Sequence, residues 1–321
     1  MSSNGQAGTH GVRIGGVIVG EGAAVVLAQG HEADVRWLSL RGVAGPGAVA
    51  RARAGWDGPL LVEPGSAADL AEIAEHADGV VIETGDPLAR AAAALGLPVV
   101  VLRAPGTGLD DWLDAAARCA AEGAAGVVLC EGVGETGGPD LALVRAARRS
   151  GRPVLAAPGE DAGLAGAAVA AGADGLWLAP GADAEAVATA REAVTVVGAL
   201  VREERPSAVP AARQAIDRVD AALAVLLERR AALAGTIQRL KPVGGFAGRD
   251  MDRERRLVAA MARRAPRLGE ARLAPIMNAV IEGGLHLAEE LRAAARENGR
   301  EPSNQDQADA QALAGGRPHH D

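Results

Sequence analysis

Between residues 12 and 200 the chain alternates short apolar runs with longer alanine-rich helical patterns, and this alternation constrains the fold most strongly. The runs are continuous, as in VVIET and VVVLR, which suits parallel strands covered on both faces. They predict eight strands, at 23–28, 34–40, 59–63, 79–84, 98–103, 126–131, 152–156 and 174–179. Eight βα units in about 200 residues predict an α/β fold, a (β/α)8-like barrel.

The first unit departs from this pattern. Little more than His31 to Asp34 separates the first two predicted strands. A crossover between parallel strands needs at least ~10–12 residues. We therefore expect that the first helix is missing or that the barrel is incomplete.

The sequence pattern changes after Arg202, where the alternation of apolar runs and alanine-rich segments ends. We predict a barrel domain at 12–202, a proline-containing linker at 203–210, an all-α domain at 211–296 and a polar, disordered tail at 297–321. Helical patterns cover 209–241, 250–265 and 270–296. From Arg205 to Arg296 there are 17 Lys and Arg against 10 Asp and Glu. A basic helical domain therefore follows an acidic barrel.

Composition excludes several classes of function. Of 321 residues, 49% are hydrophobic but only 2% are aromatic, and the net charge is −8, which argues against a nucleic-acid partner. The two cysteines, Cys119 and Cys130, are too few for a disulfide framework or a thiolate zinc site. No run reaches the ~20 apolar residues of a membrane span. Since residues 1–10 lack an apolar signal region, we expect a cytoplasmic protein without a membrane partner.

The first helix of the all-α domain places cations on an otherwise apolar face. Steps of three and four residues trace this face through Arg213, Ile216, Asp220, Leu223, Leu227, Arg230, Ala234, Ile237 and Lys241. Cations on a buried face are costly without an anion. Either they extend into solvent and pair with Asp217, Asp220 and Glu228, or an anionic ligand binds there.

Helix geometry limits how such a ligand can be held. Arg213 and Arg230 lie roughly 25 Å apart along a helix. One small ligand could therefore contact both residues only if two chains shared the site. Lys241 is the only lysine beside 32 arginines. A compact ammonium makes a single-point contact that a planar guanidinium does not reproduce.

The second helix opens with Asp250-Met251-Asp252-Arg253-Glu254. One interpretation is an N-cap at Asp250 followed by first-turn acids. Alternatively, Asp250, Arg253 and Glu254 share one helical face and offer a cation for carboxylates and anions for a hydroxyl.

These residues, at this spacing, resemble the all-helical (type II) chorismate mutases: Arg213, Ile216 and Asp220, then Leu226 to Arg230, Lys241, and Asp250 to Arg255. The resemblance implies an intertwined three-helix homodimer. It also implies rearrangement of chorismate to prephenate in aromatic amino-acid biosynthesis, without metal or cofactor.

The resemblance also implies roles for individual residues. Arg230 and the partner's Arg213 would clamp the two carboxylates of chorismate, and Lys241 would donate to the ether oxygen as negative charge develops there. Asp250 and Glu254 would accept from the C4 hydroxyl, with Arg253 supporting the bound dianion. Lys241, Glu254 and Arg230 are thus the expected catalytic residues.

One position departs from the family. Ala288 stands where a Gln or Glu normally gives the second hydrogen bond to the ether oxygen, and losing such a donor typically costs ~10²–10³ in rate. Two alternatives therefore stay open. The domain acts on a relative, by 4-amino-4-deoxychorismate rearrangement or isochorismate pyruvate elimination. Otherwise it is a non-catalytic regulator of an active DAHP synthase.

The barrel resembles the short form of DAHP synthase in segments such as VRIGGVIVGEGAAVVLAQG and GADGLWLAPG. The family's chemistry is missing. Its metal ligands correspond to His31, Glu160 and Ala179, its lysine to Leu102 and an arginine to Gly132. We expect a catalytically silent barrel that serves as a scaffold, a regulatory domain or a docking surface for an active synthase.

Overall fold

A computed structural model of the chain describes residues 11–30, 32–42, 45–134, 137–202, 206, 208–240 and 246–298. The chain divides into two compact units, Met1–Leu223 and Ala224–Asp321. None of the helices in the described part combines the length and apolar character that a membrane span requires.

The first unit contains a closed barrel of eight parallel strands, in the order β10-β3-β4-β5-β6-β7-β8-β9. The strands are β3 (Val25–Ala28), β4 (Val35–Ser39), β5 (Leu60–Glu63), β6 (Gly79–Glu83), β7 (Val99–Leu102), β8 (Val127–Glu131), β9 (Val154–Ala156) and β10 (Gly175–Trp177). All eight predicted strands are confirmed. Pairing of Gly175 with Val25 joins the last strand to the first, so the expectation of an incomplete barrel is wrong.

Seven helices are described around this barrel: α1 (Ala48–Ala54), α2 (Leu70–His76), α3 (Ala89–Ala93), α4 (Leu109–Ala121), α5 (Leu141–Arg148), α6 (Ala162–Ala171) and α7 (Ala184–Val201). Aspartates at the N-caps begin several of them. Asp140 accepts from the backbone N–H of Ala142 at 2.9 Å, and Asp183 from that of Ala186 at 2.8 Å.

No helix lies between β3 and β4 among residues 29, 30 and 32–34, so the first helix is the missing part. Asp34 holds this short connection in place. Its backbone N–H donates to the Val26 carbonyl at 2.9 Å, and its Oδ2 accepts from the Val26 N–H at 2.8 Å. Arg191 of α7 donates to Asp34 Oδ1 at 3.0 Å. Side-chain bonds therefore fix the strand order here without a crossover helix.

A hairpin that the sequence did not reveal precedes the barrel. Its strands β1 (Val12–Ile14) and β2 (Val17–Val19) pair antiparallel. Ile14 and Val19 are fully buried and pack in one cluster with the inward-facing strand residues, such as Leu27. A Cβ added to Gly126, which directly precedes β8, would lie 2.7 Å from Val12 Cγ1. The hairpin therefore closes the amino end of the barrel.

Three helices and a short 3-10 turn follow: α8 (Val209–Leu240), the turn Phe246–Gly248, α9 (Met251–Arg264) and α10 (Gly269–Asn298). The three predicted helices are thus confirmed. Residues 203–205 and 207 of the predicted linker, and 299–321 of the predicted tail, lie outside the described residues.

Candidate active site

The helical unit contains a cavity of about 320 Å³ bounded by α8, α9, α10 and the turn before α9. Its charged and polar lining residues are Arg230, Gln238, Arg249, Asp250, Arg253 and Glu254. The other seven are glycine, alanine, leucine or isoleucine. The cavity therefore combines an apolar wall with a few ionic groups, as small-molecule sites commonly do.

Arg230 enters the cavity from α8, where its guanidinium is half-buried. Its Nη1 donates to the Val280 carbonyl of α10 at 3.4 Å. One turn further along both helices, a Cβ added to Gly284 would lie 3.8 Å from the Cβ of Ala234 and 3.9 Å from Arg230 Nη1. Close packing of α8 on α10 therefore positions Arg230.

The start of α9 supplies the acidic groups. Asp250 is the N-cap, and its Oδ1 accepts from the Arg253 N–H at 2.9 Å. The N-cap interpretation is therefore confirmed, and because Asp250 also lines the cavity, its contact with a ligand stays a prediction. Glu254 lies in the first turn of α9, where the helix dipole favours a carboxylate.

Arg249 organises these acids, and the sequence analysis missed it. Its Nε donates to Glu254 Oε1 at 3.0 Å and its Nη2 to Oε2 at 2.7 Å. The same guanidinium contacts Glu282 Oε1 at 3.1 Å and Asn278 Oδ1 at 2.8 Å, both on α10. One signal was present: a cation directly before an N-cap opposes the helix dipole and needs a compensating anion.

The hydrogen bonds from Arg249, aided by its charge, hold the pKa of Glu254 below its ordinary value, although partial burial acts the other way. The same pair raises the pKa of Arg249. Glu254 is therefore an ionised hydrogen-bond acceptor at neutral pH.

Residues 212–289 match the model of the family described as chorismate mutase type II. This segment, about a quarter of the chain, is referred to below as the mutase domain. The matched range contains the entire lining of the cavity. A comparison with curated proteins found no match.

The part of the chain before the mutase domain is similar to solved synthase barrels. A truncated form of 3-deoxy-D-arabino-heptulosonate 7-phosphate synthase from Thermotoga maritima has a TM-score of 0.52 and 20% identity, covering 60% of this chain and 94% of that chain. A phospho-2-dehydro-3-deoxyheptonate aldolase (DAHP synthase) from the same organism has a TM-score of 0.46 and 20% identity, covering 52% of this chain and 62% of that chain. This chain therefore spans less than two thirds of the second protein. At such identities the likeness shows the fold alone.

The mutase cavity brings together four of the six predicted site residues: Arg230, Asp250, Arg253 and Glu254. Arg213 is exposed on α8 and is not among the lining residues. Lys241 lies outside the described residues.

At the carboxyl end of the barrel strands, two arginines are neutralised by carboxylates. Arg103, after β7, makes two 2.5 Å bonds to the fully buried Glu131 of β8. Arg41, after β4, contacts Glu63 at 2.7 Å and Asp86 at 2.8 Å. These guanidinium groups are engaged within the fold.

The positions that correspond to synthase metal ligands do not assemble a site in the described chain. Glu160 and Ala179 are exposed, and His31 lies outside the described residues. Among the residues that the structure describes, no group of three His, Cys, Asp or Glu side chains is placed to hold a metal ion.

Replacing Arg249 should raise the pKa of Glu254. Without the guanidinium, burial and the nearby Asp250 carboxylate would favour the protonated form. The Arg249→Gln variant should therefore protonate Glu254 at higher pH than the wild type. The stabilisation from this pair is present at neutral pH and is lost as the pH falls through the lowered pKa of Glu254.

The measurement is a carbon-13 NMR titration of the Glu254 carboxyl group in both proteins. Arg255→Gln is the matched control, because Arg255 pairs with the exposed Asp252. A Glu254 midpoint that is the same in the wild type and in Arg249→Gln would contradict the assigned cause.

Proposed function

We propose that the mutase domain rearranges chorismate to prephenate. The observation that carries this proposal is that the residues matching the type II chorismate mutase family also enclose an apolar cavity with an ionic rim. In the reaction the bond between ring carbon and ether oxygen breaks while the enolpyruvyl methylene bonds to the ring carbon that carries the carboxylate. The product is an isomer, so the step needs no added reactant.

The size and polarity of the cavity suit this substrate. A volume of about 320 Å³ accommodates a compact molecule of chorismate's size. The apolar side chains that line the cavity come mainly from α8 and α10 and would surround the carbon skeleton, and the charged groups, apart from Arg230 of α8, lie at or just before the start of α9. Holding the reactive diaxial conformer in such a site can contribute several kcal/mol, up to about 7–11 in the best cases.

The charge balance favours a dianion once two further cations are counted. Three arginines, Asp250 and Glu254 line the cavity, and Glu282 adjoins it through Arg249. These charges cancel. Lys241 and the partner's Arg213 would add two positive charges, which matches the two carboxylates of chorismate.

We propose the following roles from the resemblance to the family and from the residues that line the cavity. Arg230 and the partner's Arg213 hold the carboxylates, and Arg253 supports the bound dianion. Glu254, ionised and held by Arg249, accepts the hydrogen bond from the C4 hydroxyl, and Asp250 lies beside the same hydroxyl. Lys241 donates to the ether oxygen as charge develops there.

A homodimer is proposed because the helical unit leaves large apolar side chains in solvent. Leu226 is 50% exposed, Leu240 80%, Ile276 51% and Leu291 62%. Burying such side chains stabilises by about 1.5–3 kcal/mol each, and a second copy of the same helices would cover them. Such a dimer also provides the second chain that Arg213 requires.

We also propose that the barrel is catalytically silent and acts as a scaffold, a regulatory domain or a docking surface for an active synthase. Binding of phosphorylated substrates requires available cations, whereas Arg41 and Arg103 are engaged by carboxylates. The synthase lysine and arginine positions hold Leu102 and Gly132.

The first test is an ultraviolet assay of chorismate disappearance by the full chain, with prephenate identified as product. Glu254→Ala and Lys241→Ala should each lower kcat by about 10²-fold or more, because each removes a group that binds the transition state. Glu290→Ala, which changes an exposed glutamate on α10, is the control. Activity unchanged in both variants would refute the mechanism. Faster turnover of 4-amino-4-deoxychorismate or isochorismate would reassign the substrate, and binding without turnover would favour a regulator.

A shared site predicts complementation between two inactive variants. Arg213→Ala and Arg230→Ala should each have little activity alone. After mixing and subunit exchange, about a quarter of the sites should be intact, because half of the dimers are mixed and each carries one wild-type site. No recovery, despite mixed dimers seen by native mass spectrometry, would contradict a site built from two chains.

The silent barrel predicts no synthase turnover. The full chain, supplied with phosphoenolpyruvate, erythrose 4-phosphate and manganese, should release no phosphate above background while it still converts chorismate. An authentic short-form synthase in the same assay is the control. Phosphate release that depends on both substrates would overturn this part of the proposal.

A further inference from the structure

Gln238 is a buried polar residue within the mutase cavity. Three polar or charged residues are buried in the described chain: Glu131, Asp174 and Gln238. The first two are barrel carboxylates paired with arginines. Gln238 instead carries a neutral amide, is 8% exposed and lines the cavity. A buried amide is stable only where its hydrogen-bonding groups find partners, so such a residue in a cavity lining is uncommon.

Helix register places Gln238 opposite Ala288. Arg230, Ala234 and Gln238 follow one another at four-residue steps on one face of α8. On α10, Val280 lies beside Arg230 and Gly284 beside Ala234. The next step on both helices pairs Gln238 with the buried Ala288. Arg292, one turn further along α10, donates to the backbone carbonyl of Gln238, in keeping with this register.

The two facing residues differ in what they offer a ligand. The methyl group of Ala288 neither donates nor accepts a hydrogen bond. Gln238 is the one uncharged hydrogen-bonding side chain among the described residues that line the cavity. Its amide group has two N–H donors, and a neutral donor stabilises developing negative charge without changing the net charge of the site.

We propose that the side-chain amide of Gln238 donates a hydrogen bond to the ether oxygen of the bound enol ether, an assignment that rests on the proposed function. The donor comes from α8, across from the place on α10 where Ala288 supplies none. The bond strengthens as the carbon–oxygen bond breaks and the oxygen gains negative charge. Gln238 is then a catalytic residue that acts chiefly on kcat.

The first experiment measures kcat and KM of the full chain for chorismate after Gln238→Met, which keeps the length of the side chain but donates nothing. We expect kcat to fall by about 10²–10³ with a much smaller change in KM. Gln214→Met, on an exposed glutamine of the same helix, is the control. A folded Gln238→Met protein with the kcat of the wild type would overturn the inference about Gln238 but not the proposed function. A wild-type protein without turnover would overturn the proposed function first.

The second experiment uses Gln238→Glu, because a carboxyl group donates only when it is protonated. Its kcat should be lost as the pH rises through the pKa of the new side chain, whereas the wild type should keep its activity over that range. A merely structural role would not create this pH dependence. A Gln238→Glu profile parallel to that of the wild type would count against donation.

The third experiment moves the amide from α8 to the neighbouring position on α10. The double variant Gln238→Ala with Ala288→Gln should have a kcat at least tenfold higher than that of Gln238→Ala, because α10 then supplies the donor. Circular dichroism establishes that both variants fold. If the folded double variant stays at the level of Gln238→Ala, the two positions do not serve the same oxygen and the inference is overturned.

Discussion

The ion pair between Arg249 and Glu254 is the interaction on which the arrangement of the mutase cavity depends. Arg249 precedes the N-cap of α9, where the helix dipole opposes a cation. Two carboxylates compensate this cost, one from α9 and one, Glu282, from α10. The guanidinium therefore ties the first turn of α9 to α10 and fixes both oxygens of Glu254. The result is a carboxylate with a set orientation and ionisation state, which is what a hydroxyl donor on a ligand requires.

Much of the barrel could be predicted because its strands are buried on both faces, and continuous apolar runs are a direct consequence of such burial. The hairpin Val12–Val19 was missed because three-residue strands are too short to establish a period. The sequence left open whether a helix or barrel closure was missing. The answer depends on bonds from Asp34 to Val26 and Arg191, and spacing alone does not encode such side-chain bonds.

The candidate site was predictable where charge conflicts with an apolar pattern, as at Arg230 and the start of α9. Gln238 was not predicted as a site residue, because the helical face followed in the sequence passes from Ala234 to Ile237 and on to Lys241 in steps of three and four. A helical turn of 3.6 residues leaves Gln238 at the edge of that face, and only the structure shows that it lines the cavity. No property of the isolated sequence distinguishes this glutamine from the exposed Gln214.

Two arginine–glutamate pairs in this chain show why an ion pair alone does not indicate a binding site. Arg103 and Glu131 neutralise each other at the carboxyl end of the barrel, where desolvation of both groups is compensated by their mutual bonds. Arg249 and Glu254 neutralise each other too, but Arg230 and Arg253 line the same cavity and make no ion pair with the described residues. An anion that enters the barrel end must compete with an internal carboxylate, whereas one that enters the mutase cavity meets two arginines outside this pair, although the charges of the lining side chains and of Glu282 sum to zero. The presence of further arginines outside the ion pair, rather than the ion pair itself, therefore distinguishes the mutase cavity from the carboxyl end of the barrel.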